Sequence, residues 1–204
     1  MVGGGGWIGA VRRARYIAPW QRPDFEALVE AHKGGGGEDG GGGGLSAEAL
    51  EALRGKPAIY HVVSRVVERR LVFGPEEKEH FVGLMRLYEG FCGLRVLTYC
   101  VMGNHFHILL EVPARPERPF ADDAALLEHL GRLYPAGRLG EIAREFELVG
   151  DSPAALAALR ERYLGRMWDL SQFMKSLKQR FSQWFNRRHA RRGVLWEDRF
   201  KSVL

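Results

Sequence analysis

Ala58 to Arg65 reads AIYHVVSR, a run of β-branched and aromatic residues that predicts a strand. The period then changes. After Gly74-Pro75, the segment EEKEHFVGLMRLYEGF brings Phe81, Leu84, Met85, Tyr88 and Phe91 round at helical spacing. Acidic residues crowd its first turn, and Gly93 is a natural stop. Leu94 to Met102 predicts a second strand, Gly103-Asn104 a tight turn, and His105 to Val112 (HFHILLEV) a third strand, the last two pairing as a hairpin. Pro113 and Pro116 end the sheet.

Helical patterns follow over Asp122 to Gly150 and Ser152 to Gly165, with Asp122 and Ser152-Pro153 as capping candidates. From about Asp169 to His189 another helix carries Leu170, Phe173, Met174, Leu177, Phe181, Trp184 and Phe185 on one stripe, as a core-facing helix does. Past Gly193, Val194 to Leu204 begins a further strand. The order strand, helix, strand, strand, helices, strand predicts an α+β fold, an antiparallel sheet with helices packed on one face.

Residues 1–55 break this regularity. Gly3 to Gly6 and Gly34 to Gly44, interrupted only by Glu38 and Asp39, are glycine tracts that bury too little apolar surface to offset the entropy of ordering them. Between them Pro23 to His32 could wind into a short amphipathic helix through Phe25, Leu28 and Val29. The expected organisation is therefore a Gly-rich, disordered arm at 1–55 and one domain at 56–204.

Composition narrows the class. Hydrophobic residues are 46% and charged residues 27%, ordinary for a globular protein. A net charge of +5 and a pI near 9.4 suggest a polyanionic partner. Cys92 and Cys100 lack the paired spacing of a zinc site and are expected to be buried thiols in a reducing compartment. No apolar run approaches the ~20 residues that span a bilayer, and no basic-then-apolar leader opens the chain, so a cytoplasmic, nucleoid-associated protein is expected.

The candidate chemistry lies on the third strand. Residues two apart share a face, so His105 and His107 project together while Phe106, Ile108, Leu110 and Val112 point the other way, toward the helices. Two imidazoles so placed can converge on one divalent ion. A lone His-x-His is weak, since two hydrogen-bonded histidines on a sheet look the same. The turn before the strand and the basic helix downstream strengthen the metal reading.

YHVVSR at 60–65, RVLTYCVMGNHFHILLEVP at 95–113, and LSQFMKSLKQRFSQWFNRRHARRGVLWEDRFKSVL at the end resemble, in order and chemistry, the HUH single-tyrosine transposases of small insertion sequences and their REP-associated relatives. The resemblance covers about Lys56 to Leu204 apart from a helical insertion near 118–165. It implies a ferredoxin-like, HUH-type fold, with His105 and His107 as ligands of a divalent metal, Mg²⁺ or Mn²⁺, that polarises a scissile phosphate. Nitrogen ligands favour Mn²⁺. His61 could approach that metal from the neighbouring strand.

Members of that family nick and rejoin single-stranded DNA through a tyrosine that forms a covalent 5′-phosphotyrosyl intermediate. The resemblance places this tyrosine, and the third metal ligand, on a helix after RFKSVL, where this chain stops. Tyr60, Tyr88, Tyr99, Tyr134 and Tyr163 are expected to be packing residues. A site incomplete for want of its nucleophile is therefore expected, in a truncated copy or part of a longer chain, and a homodimer is possible for such a family.

Lys175, Lys178, Arg180, Arg187, Arg188, Arg191, Arg192, Arg199 and Lys201 crowd the C-terminal segment against Glu197 and Asp198, interleaved with Trp184, Phe185, Trp196 and Phe200. Cations neutralise phosphates and aromatic rings stack on unpaired bases, which makes single-stranded or hairpin DNA the expected partner. The RRHARRG loop carries that expectation best, because its four arginines cannot all be paired locally. Two other readings stand beside it. One is a DNA-binding remnant or domesticated regulator without catalysis. The other is a hydrolase using metal-activated water, with Glu111 as base.

Overall fold

A computed structural model describes residues 55–150 and 152–203, together with Ala27, Glu30, Glu48, Ala52 and Leu53, which are helical. The Gly-rich tracts and most of the helix expected at 23–32 lie outside the described residues.

The sheet is built from β1 (Ala58–Arg65), β2 (Arg95–Val101), β3 (His105–Val112) and β4 (Lys201–Val203), in the order β2-β3-β1-β4 and antiparallel throughout. β1 and β3 pair along their full length, from Ala58 opposite Val112 to Arg65 opposite His105. The period-two pattern is realised: Tyr60 and Val62 on β1, and Phe106, Ile108, Leu110 and Val112 on β3, are buried, whereas the alternate residues are at least partly open.

Two long helices cover the buried face. α1 (Pro75–Cys92) starts on Pro75 and ends on Gly93, which takes the left-handed conformation (φ 66°). It contributes Phe81, Met85, Tyr88 and Phe91 to the core. The expected C-terminal helix, with its apolar stripe, is described below as α5. The architecture is the expected α+β fold, with its helices on one side of an open sheet.

The insertion differs from expectation in one place. Instead of one helix over 122–150 there are two, α2 (Asp123–Leu130) and α3 (Ala136–Val149), followed by α4 (Pro153–Leu164). Pro135 is the reason: without an N–H, and with its ring against the preceding turn, it cannot continue a helix and instead precedes the first turn of α3. Asp122 caps α2 through the Ala125 amide at 2.8 Å, whereas the Ser152 side chain makes no capping bond. The insertion is tied to the core by His129 Nε2–H donating to the Phe91 carbonyl (2.9 Å) and by Arg115 gripping Glu161 with both arms of its guanidinium.

α5 (Leu170–Arg188) is capped by Asp169, which accepts from the Gln172 amide at 2.8 Å. Its Leu170, Phe173, Met174, Leu177, Phe181 and Phe185 are buried, and Phe181 touches Phe73, Phe81 and Trp196. The strand expected over 194–204 is confined to Lys201–Val203. The preceding residues are drawn onto α5 instead: Leu195 is buried, and the Trp196 indole donates to the Lys178 carbonyl and to Ser182 Oγ.

Cys92 is buried as expected, but Cys100 is exposed. A bulge at Leu97 is responsible. It shifts β2 by one residue, so that Cys100 falls opposite His107 and faces away from the core. Among the described residues no helix is long and apolar enough to cross a membrane.

Candidate metal and nucleic-acid site

The face of the sheet turned away from the helices carries the histidines. On it stand Ile59, His61, Val63 and Arg65 of β1, His105, His107, Leu109 and Glu111 of β3, Cys100 of β2, and Lys201 and Val203 of β4. His105 and His107 lie side by side, their ring centres 5.2 Å apart and their planes at 69°.

Each ring is oriented by a neighbour. Asn104 donates its Nδ2–H to the Arg69 carbonyl at 2.9 Å, which turns its Oδ1 toward His105 Nδ1 at 2.7 Å. That oxygen can only accept, so His105 carries its proton on Nδ1 and presents the Nε2 lone pair. The Arg69 carbonyl belongs to a turn at Val67–Arg69 in which Glu68 and Arg69 both adopt left-handed φ (56° and 54°). The turn is thus tied, through one amide, to the histidine strand.

His107 Nδ1 lies 2.9 Å from His61 Nε2, and the two rings stack at 5.1 Å. The contact is diagonal across the β1–β3 ladder, since His61 itself is opposite Leu109. It leaves Nε2 of His107 as that ring's remaining nitrogen. Partial burial, and then the neighbouring His61, His105 and Arg65, hold the His107 pKa below the usual imidazole value, which favours the neutral, ligating form.

The two rings thus present nitrogens on the open face, that of His105 with its tautomer set by Asn104. Among the described residues, however, no group of three or more His, Cys, Asp or Glu side chains could hold a metal. His61 is engaged with His107, and Glu111 is bound by Arg95 at 2.6 Å. Glu111 is therefore ion-paired and not poised as a base. Nor does any described tyrosine stand on this face. Tyr60 and Tyr99 alternate to the other side, Tyr88 is buried in α1, and Tyr134 and Tyr163 lie in the insertion.

The basic residues of the C-terminal segment are dispersed. Lys201 is on the histidine face, near Arg65. Arg188 forks onto Glu76, Arg187 donates to the Gln183 carbonyl of its own helix, and Arg191 lies over Phe185. Among the described residues none of Arg187, Arg191 and Arg192 has a carboxylate partner. Lys175 and Arg199 edge a groove of about 710 Å³ between α5 and the 193–200 loop. Lys178, in the wall of that groove, is buried; its ammonium donates to the Asp198 carbonyl at 2.7 Å and sits 5.2 Å from the Trp196 ring centre. Arg180 lines a second cavity, on the other flank of α5.

Sequence reasoning did not single out Asn104 or Arg65 as part of this site. A polar residue beside His105 was a readable signal for the first. The second depends on register alone.

An open-faced antiparallel sheet with a His-x-His strand at its centre is the class of structure that these features define. The family described as "Transposase IS200 like" matches residues 56–117, which hold β1, α1, β2 and β3 and therefore His61, His105 and His107. No curated protein matches the chain. Among solved structures, a crystal structure from Deinococcus radiodurans R1, provisionally named a transposase, is similar at a TM-score of 0.38 and 14% identity, over 82% of this chain and 85% of that one.

Proposed function

We propose that this chain takes part in DNA transposition, binding single-stranded or hairpin DNA so that a backbone phosphate lies on the open sheet face beside His105 and His107. The observation that carries this is the pair of imidazoles, each held by a neighbouring side chain, on the uncovered face of β3, within the segment that matches the IS200-like transposases. In this reading His105 and His107 hold a divalent ion, Mg²⁺ or Mn²⁺, which polarises the phosphate when bound. Asn104 and His61 fix the two rings. Arg65 and Lys201 add positive charge beside them, and Arg187, Arg191 and Arg192 engage phosphates further along the strand.

A second reading, a DNA-binding protein without catalysis, is favoured by the placement of the described tyrosines, none of which stands on the histidine face. One experiment separates the two. An electrophoretic shift and nicking assay on hairpin single strands is run with Mn²⁺, with EDTA, and with the His105→Ala/His107→Ala variant. Metal-dependent cleavage lost in the variant is the expected result for the first reading. Binding indifferent to both EDTA and the substitutions supports the second. Failure to shift the strands at low salt would refute both.

A further inference from the structure

Where the inserted helices meet α1 and α5, a cavity of about 310 Å³ opens in the helix layer, on the opposite side of the sheet from the histidines. Its wall draws on four parts of the chain: Tyr88 of α1, Tyr134 from the break between α2 and α3, Arg166 from the α4–α5 connection, and Ser176, Gln179 and Arg180 of α5.

The arginines of the helix layer divide into two sets. Arg86, Arg115, Arg138, Arg160, Arg162 and Arg188 each meet a carboxylate. Among the described residues Arg166 and Arg180 meet none. Arg166 donates instead to the Tyr134 hydroxyl and rests on two aromatic faces, 5.4 Å from the Phe91 ring centre and 5.8 Å from that of Tyr134. Arg180 lines the same cavity as Tyr88, close enough to act electrostatically on its hydroxyl. Burial pushes that phenol above its usual value, with both arginines opposing, so at neutral pH it keeps its proton. The cavity thus gathers two guanidinium groups without a carboxylate partner, two phenolic hydroxyls, a serine and the amides of Gln179 and Gln183.

We infer that this cavity binds a phosphate group carried on a nucleotide unit. A tetrahedral oxyanion accepts hydrogen bonds from several directions, which matches donors converging from four segments; a planar carboxylate is satisfied by one guanidinium fork. Arg180 is exposed and Arg166 half-buried, and the charge of Arg166 is met there only by a hydroxyl and two aromatic faces, so an anion would gain charge-assisted hydrogen bonds that no described carboxylate already takes. The volume is at the lower end of small-molecule sites, larger than a bare ion needs, and leaves room for an attached sugar. Tyr134, Arg166, Ser176, Gln179 and Arg180 all lie outside the segment that matches the transposase family. The site owes nothing to the histidine pair, and loss of metal binding at the sheet would leave it intact.

Calorimetric titration of the full chain with thymidine 5′-monophosphate, inorganic phosphate, thymidine and acetate tests the inference. The monophosphate binds, inorganic phosphate binds more weakly, and thymidine and acetate do not bind. Arg180→Gln, and separately Arg166→Gln, weaken monophosphate binding at least tenfold, whereas Arg144→Gln, on the exposed side of α3, leaves it unchanged. Because Arg166 also packs on Phe91, Arg180→Gln and Tyr134→Phe serve if Arg166→Gln does not fold. Displacement of the monophosphate by a single-stranded oligonucleotide, dependent on Arg180, assigns the phosphate to a DNA strand; no displacement assigns it to a free nucleotide. Equal binding of thymidine, no binding of the monophosphate, or binding unaffected by the arginine substitutions overturns the inference.

Discussion

His61 Nε2 stands 2.9 Å from His107 Nδ1, across the β1–β3 ladder. With a metal on Nε2 of His107, its Nδ1–H donates to His61, much as Asn104 fixes the ring of His105 from the other side. His61 and Asn104 would therefore hold the rings of a metal-bound pair as outer partners. His61→Phe and Asn104→Ala should each lower Mn²⁺ affinity by roughly 10- to 100-fold, the usual cost of removing such an outer partner. Titration followed by electron paramagnetic resonance measures this. Unchanged affinity in both variants would show that the rings are positioned by the strand alone.

DNA affinity should carry the signature of phosphate contacts at the end of α5 and in the loop that follows it. Replacing Arg187, Arg191 and Arg192 with Gln removes three cations that no described carboxylate neutralises. If each meets one phosphate, the slope of log K against log salt for a single strand falls by about 0.7 per residue, roughly 2 in all. Fluorescence anisotropy at several salt concentrations gives the slope. The same substitution at Lys178 should leave it unchanged, because that ammonium is buried against Asp198.

Lys178 makes stability depend on pH in a defined direction. Burial lowers its pKa from 10.5 to about 8, with the neighbouring Asp198 opposing. Between those values the unfolded chain holds more protons than the folded one, so folding stability rises with pH across this window. Its contribution is fully present above 10.5 and is lost as pH falls through 8, a difference on the order of 3 kcal/mol. Lys178→Met should flatten the rise and stabilise the protein at pH 7, measured by urea unfolding at pH 7, 9 and 10.5.

Two core positions test how the helix layer is held. Phe181, fully buried among Phe73, Phe81 and Trp196, should cost about 3–5 kcal/mol as Ala. Gly93→Ala should also destabilise, by about 1–2 kcal/mol, because φ is 66° and the new Cβ would lie 2.7 Å from Trp168 Nε1. Thermal unfolding of the two variants is the measurement. A Gly93→Ala variant as stable as the parent would mean that Trp168 moves aside freely.

The elements that local pattern alone specifies were legible in the chain. HFHILLEV alternates so strictly that both the strand and the pairing of its histidines on the uncovered face follow from period two. The stripe on α5 and the Pro75 and Gly93 ends of α1 are likewise written in near neighbours. What tertiary structure decided depends on distant residues and on single insertions. The Leu97 bulge turns Cys100 outward, and no local pattern announces one extra residue in a ladder. The His61–His107 contact needs the β1–β3 register, set across 46 residues of chain. The convergence of Tyr88, Tyr134, Arg166 and Arg180 needs three inserted helices to dock on α1 and α5. Composition could say that the chain is basic; only packing determines which cations meet carboxylates, which are buried, and which line a cavity.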